Sequence, residues 1–361
     1  MAVLICGTAT VLPVAAGGEN PLSVARIPPA LKKDAGAVIR NYTLRFEIKN
    51  ERRAWKKVKQ VVTIFEKDQR HYGELMLRYD KFKKIDGLKG TMYNASGKQI
   101  RDLRKKDIKD YSTFSDRSLH EDSRVRVSSL YHDRYPYTVE FTYEISYDGF
   151  LNWPTWYAQE SKEPVEHSRF EVLVPKDYDL RFWCNRDTVR PRISEGRKKK
   201  LYAWQARNLP KRSKDAFGDE LEKVTIIVRI APAGIELEGY SGGMTSWKRF
   251  VGRYHKLSRG NTRQPEAAVR RVQALVDPSA DALDKTRKLY RYMQSSTRYV
   301  SVPLGIRCWQ QFDATYVHER GYGDCKAFSD YTAALLARES SHTSDVQLTL
   351  ASAPTREAPS Q

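Results

Sequence analysis

From Tyr137 to Tyr147 every second residue is apolar or aromatic: Tyr137, Val139, Phe141, Tyr143, Ile145 and Tyr147 alternate with Thr138, Glu140, Thr142, Glu144 and Ser146. A period of two sends alternate side chains to opposite sides of an extended chain, so this stretch predicts a strand with one buried face. Tyr42, Leu44, Phe46 and Ile48 repeat the pattern, and a turn at Asn50–Arg53 leads into a second apolar run, Trp55–Phe65, as in a hairpin. Further strands are expected at 72–79, 123–130, 170–174, 180–184, 201–205 and 224–230, with Asn94–Lys98 as a turn. So many short strands between turns predict a sandwich or paired sheets over residues 38–235. The aromatics around Pro154 (Trp153, Trp156 and Tyr157) suit core packing, and their faces would also suit a sugar ring.

After Pro232 the period changes. Trp247, Phe250, Val251 and Tyr254 have helical spacing and follow the glycine-rich turn Ser241–Gly243. A second helix is expected from Pro265, with Ala268, Val269, Val272, Leu275 and Val276 as its apolar face. A third carries Leu283, Thr286, Tyr290 and Met293. The class is therefore α+β, a β-rich domain followed by a helical one over residues 240–336.

The chemistry of the chain gathers at Gly321–Leu336, GYGDCKAFSDYTAALL. Gly321 and Gly323 permit a tight turn, Asp324 is a helix N-cap, and Phe328, Tyr331, Thr332 and Leu335 give a helical packing stripe. Cys325 then falls in the first turn. There the positive end of the helix dipole and the charge of Lys326 both favour thiolate, the reactive form. A buried structural cysteine is the alternative, since free cysteine is among the most buried residue types.

Gly-Tyr-Gly-Asp-Cys-Lys followed by an alanine-rich helix resembles the cysteine motif of the transglutaminase-like family, which is related in fold to papain-like cysteine peptidases. Pro303–Ile306 and Trp309–Phe312 resemble the lead-in of its bacterial secreted branch. In that branch a β-rich module, the domain of unknown function DUF3857, precedes the enzyme-like domain. The resemblance covers nearly everything from Ala37 to Leu336. It implies acyl transfer or amide hydrolysis through a Cys325 thioester, with Asp324 capping the helix and Lys326 biasing the thiol. The Cys325 backbone N–H would be an oxyanion donor, and Trp309 or Gln310 a second polar group.

Such a nucleophile works with a histidine base oriented by Asp or Asn, which in that family lie well downstream. Here the text after Leu336 turns polar and rich in Pro, Ser and Ala, so residues 337–361 read as a disordered or aberrant tail. His342 lacks a strand pattern around it, and His318 precedes the cysteine. The expectation is a C-terminally truncated copy, inactive alone. The alternative is a non-catalytic exported binding or scaffold module that uses the β-rich domain.

The bulk properties fit either reading. Lys+Arg of 63 against Asp+Glu of 44 gives a net charge of +19, but the basic residues are spread through strands and turns without interleaved stacking aromatics. That pattern argues against nucleic acid and for a solvated basic surface. The partner expected is a protein, peptide or cell-envelope polymer substrate. Cys6, Cys184, Cys308 and Cys325 show no zinc spacing, and no metal or cofactor is expected. A Cys184–Cys308 disulfide stays open. Met1–Ala16 is apolar and ends in small residues, which reads as a signal peptide over 1–18 and predicts a periplasmic or secreted protein, although a basic n-region is missing. No apolar run reaches membrane-span length.

Overall fold

The computed structural model describes residues 20–112, 123–149, 153–212, 221–258, 266–276, 281–300, 310 and 312–337. The signal-peptide reading, the tail after Ala337, Cys6, Cys308, Trp309, His342 and the Pro303–Ile306 lead-in lie outside these described residues. The chain is an α+β fold built on one large sheet. In spatial order its eight strands are β12 (Arg192–Glu195), β13 (Lys199–Leu209), β10 (Val165–Pro175), β1 (Ala37–Ile48), β2 (Arg53–Ile64), β8 (Tyr137–Asp148), β4 (Lys83–Tyr93) and β5 (Gln99–Asp102). Neighbours run antiparallel except β1 and β10, which pair parallel with Phe46 opposite Val172.

Turn chemistry sets the hairpins. Asn50 Oδ1 accepts from the backbone N–H groups of Arg52 (3.0 Å) and Arg53 (2.7 Å), closing β1 onto β2. Asn94 Oδ1 does the same for Ser96 (3.1 Å) and Lys98 (2.9 Å) between β4 and β5. Two smaller sheets pack against the large one. One consists of β11 (Arg181–Cys184), β14 (Ile227–Ala231) and β9 (Thr155–Tyr157). The other consists of β3 (Glu74–Tyr79), β7 (Arg124–Ser129) and β6 (Ile108–Ser112). Their inward residues, among them Leu75, Leu77, Trp156, Val228 and Ile230, join Leu44, Phe46, Val58, Phe141, Ile145, Phe170 and Trp204 in one core. Each such side chain taken fully from water contributes about 1.5–3 kcal/mol. The aromatics form a stack, with Phe170 lying 5.5 Å from Trp204 and 6.3 Å from Trp156, whose Nε1 donates to Ser168 Oγ at 3.1 Å. Trp156 is core, as the ordinary reading of that cluster had it.

Several expectations shift. Residues 67–73 form a 3-10 helix, so β3 starts at Glu74 and not at 72. Ser241–Gly243 is not a turn; it ends β16 (Tyr240–Gly243), paired with β15 (Gly234–Leu237). The turn between them is Glu238–Gly239, both at positive φ (47° and 83°), the geometry of a tight two-residue hairpin.

Two short helices, α1 (Pro29–Lys32) and α2 (Leu221–Val224), belong to the connections of the β-rich part. The longer ones are α3 (Trp247–Ser258), α4 (Glu266–Leu275), α5 (Ala282–Ser296), α6 (Ala314–Arg320) and α7 (Cys325–Ala337). A second core joins Val272, Val276, Leu289, Met293, Ala314, Val317, Ala327, Tyr331, Ala334 and Leu335. The buried stripe of α7 is wider than the one expected and shifted toward Ala327 and Ala334. Tyr331 and Leu335 are fully part of it, Phe328 packs partly buried against the same core, and Thr332 is half-buried, because α7 packs on α5 and α6 together. On α5 the buried side is Leu289 and Met293, while Leu283 is 66% exposed. On α3, Trp247 is 79% exposed. Among the described residues no helix is long and apolar enough to cross a membrane.

Candidate functional site

The loop that presents Cys325 is fixed residue by residue. Asp313 caps α6 by accepting from Tyr316 N at 2.7 Å, and Gly321 ends the helix at φ 68°, its N–H donating to Val317 O at 2.9 Å. A left-handed position just past a helix end is where glycine is favoured. The chain then becomes extended as β18 (Tyr322–Gly323), parallel to β17 (Arg298–Tyr299) that follows α5. Arg298 N donates to Gly321 O at 2.8 Å and Val300 N to Gly323 O at 3.0 Å. Gly323 has little room: a Cβ there would lie 3.0 Å from Ala327 Cβ and 3.1 Å from Phe328 Cε1.

Asp324 is the N-cap of α7. Its Oδ1 accepts from Ala327 N at 2.9 Å, and its backbone carbonyl accepts from Phe328 N at 2.9 Å. Its Oδ2 pairs with Lys326 Nζ, so the cap carboxylate engages the Lys326 charge. Cys325 is the first residue of the helix, an exposed free thiol. Its carbonyl accepts from Ser329 Oγ at 2.9 Å. Cys184, in β11, is also free and half-buried.

Around this turn stands a wall of rings. Phe328 meets Tyr299 edge-on at 6.3 Å, Tyr316 stacks on Phe312 at 4.1 Å, and the Tyr316 and Tyr322 hydroxyls lie 2.6 Å apart. His318 Nδ1 lies 3.0 Å from Tyr331 Oη. Burial is the main cause that raises the Tyr331 phenol well above its ordinary value, with Tyr292 adding to it. Among the described residues no hydrogen bond joins the Cys325 sulfur to a histidine, and no group of three or more His, Cys, Asp or Glu side chains is placed to hold a metal ion. The structure thus brings together Asp324, Cys325 and Lys326. Gln310 reaches elsewhere, its Nε2 donating to Tyr240 Oη at 3.4 Å. The His318–Tyr331 pair escaped sequence reasoning, because the two residues flank the motif without any spacing that marks them as partners.

Comparison with known proteins adds four findings. Residues 53–213 match the model of DUF3857, a domain of unknown function with a solved structure. The fold is shared with a candidate protease from Parabacteroides distasonis ATCC 8503 at a TM-score of 0.62 and 14% identity, over 84% of this chain and 59% of that one. Aminopeptidase A of Legionella pneumophila, solved with aspartic acid, aligns at a TM-score of 0.29 and 10% identity over 57% of this chain and 22% of that one. No curated protein matches the sequence. The segment matched by DUF3857 runs from the start of β2 to just beyond β13, and the chain as a whole spans 59% of the length of the Parabacteroides protein whose fold it shares.

Proposed function

We propose that Cys325 is the nucleophile of a transglutaminase-like site for acyl transfer or amide hydrolysis, carried by residues 240–336 beside a β-rich unit of residues 38–235. The observation that carries this reading is an exposed thiol on the first residue of a capped helix, at the end of a turn held by its own ladder. In the proposed step the thiolate attacks an amide carbonyl, and backbone N–H groups at the helix start receive the developing oxyanion. The amine departs with a proton taken from water, leaving a thioester on Cys325 that water or a second amine opens. The fold shared with the candidate protease supports a peptidase-like architecture and says nothing about substrate. A protein, peptide or envelope polymer is the proposed acyl donor.

A second reading is a non-catalytic binding module. It is favoured by the engagement of His318 with Tyr331 rather than with the thiol. One experiment separates the two: iodoacetamide labelling near neutral pH, with Cys325 and Cys184 followed separately by mass spectrometry. Saturable labelling of Cys325, far faster than that of Cys184 and of a free peptide thiol, supports the nucleophile. Labelling of Cys325 no faster than a peptide thiol overturns it.

A further inference from the structure

The inward face of β2 contains Ala54, Val58, Val62 and Ile64, all buried in the core. Lys56 and Gln60 share that face by strand alternation and break the apolar series. Both are half-buried, and a polar side chain on an apolar face must keep a hydrogen-bond partner or reach water. Breaches of this kind concentrate where a protein has something to bind.

Gln60 pairs in register with Tyr42 on one side and Phe141 on the other. Over these strands the 3-10 turn Lys67–Gly73 brings His71 and Tyr72, and the segment after β9 brings Glu160. Together with Tyr157 they line a cavity of about 290 Å³. Ligand pockets span roughly 300–1,000 Å³, so this one has room for a single ring.

The lining carries one carboxylate, Glu160, and no lysine or arginine. Lys56 lies outside the lining, with its ammonium 5.8 Å from the centre of the Tyr143 ring; burial disfavours its charged form, Lys83 adds to this, and Glu160 opposes it. Burial raises the Tyr42 and Tyr72 phenols, and Glu160 contributes further to both. The carboxylate lines the same cavity as these rings. Tyr42, Tyr72 and Tyr157 offer flat apolar faces, with His71 against Tyr72 at 4.3 Å. The Gln60 amide supplies both a donor and an acceptor, and Glu160 an acceptor. Apolar faces beside an amide and a carboxylate, which repels anions, match a ligand that carries no negative charge, bears hydroxyls and presents C–H faces.

We infer that this cavity binds one neutral hexopyranose unit of a glycan, with the tyrosine rings on its C–H faces and Gln60 and Glu160 on its hydroxyls. The site is independent of Cys325 and stands or falls apart from the thiol chemistry.

The test uses the full chain with maltose, cellobiose and N,N′-diacetylchitobiose, read by saturation-transfer NMR and calorimetric titration. Saturation of pyranose C–H protons is expected for at least one of them, with binding weakened about tenfold or more in Tyr72→Ala and Glu160→Gln, the loss of roughly one good contact. Gln60→Leu returns an apolar residue to the inward face, so it should remove binding while raising Tm. The proposal is overturned if none of the three sugars binds or if Gln60→Leu binds as the parent does. Binding of tetramethylammonium in place of the sugars also overturns it, by making the cavity a cation site.

Discussion

His318 and Tyr331 join the helix before the cysteine loop to the helix after it, Nδ1 to Oη at 3.0 Å. The loop between them carries Gly321 to Asp324, so this bond closes a small ring of structure around the thiol. Tyr331→Phe keeps the ring and removes the hydroxyl, and should cost about 0.5–1.5 kcal/mol. Urea unfolding would show this as a lower midpoint at unchanged slope. An unchanged midpoint would mean the bond contributes nothing.

Asp324 performs two tasks that different substitutions separate. Asp324→Asn keeps an oxygen to cap Ala327 N but removes the negative charge that faces Lys326. Alkylation of Cys325 near neutral pH should then accelerate, while stability falls by no more than a few tenths of a kcal/mol for the cap itself. Asp324→Ala also removes the cap and should cost about 0.5–2 kcal/mol. Equal alkylation rates in Asp324→Asn and the parent would show that Lys326 does not act on the thiol.

Gly323→Ala tests the tightness of the turn. The added methyl meets Ala327 and Phe328 at the edge of contact, and overpacking of this kind costs about 1–3 kcal/mol. Hydrogen exchange at the α7 amides should quicken with it. A variant as stable and as well protected as the parent would show that the turn can widen freely.

Leu335 is fully buried between α7 and its neighbours, so Leu335→Ala should cost on the order of 2–5 kcal/mol. If the variant melts with the parent, α7 is not packed as described.

The β-rich core should fail at high pH. Burial pushes the Tyr137 and Tyr143 phenols up to about 12, from an ordinary value of 10.0. A raised phenol keeps its proton in the native state after the unfolded chain has lost it, so the unfolded state binds fewer protons above pH 10. Stability from this source is complete below pH 10 and declines as pH rises through about 12, by on the order of 2–3 kcal/mol for each group. Tyr143→Phe should flatten the decline measured by urea unfolding between pH 9 and 12. A decline just as steep in that variant would assign the loss to other groups.

Sequence periodicity revealed those strands whose inward positions are uninterrupted. The β8 alternation of Tyr137 to Tyr147 matches its burial except at Thr138, which is buried as well, and β1 is as plain at Leu44, Phe46 and Ile48. β4 was hidden because Lys83, Lys84, Asp86 and two glycines dilute the pattern, and its place beside β8 is a tertiary fact. At the candidate site, the cap and the helix start were legible in Gly-Asp-Cys because their chemistry is local. The orientation of α7 was not, since it depends on α5 and α6 packing against it from two sides. The cavity beside Gln60 was equally out of reach: its walls come from segments far apart in the chain, and a lone glutamine in a strand carries no local signal.

The short parallel ladder between β17 and β18 has a further consequence, for the order in which this region opens. Its two rungs, Arg298 to Gly321 and Val300 to Gly323, clip the residues just before Asp324 to the chain leaving α5. α7 cannot fray from its N-terminus without first stretching that clip, so the amides of Arg298 and Val300 should exchange as one cooperative unit with the first turn of α7. The cysteine end of the helix would then be its slow end, and unravelling would begin at the other.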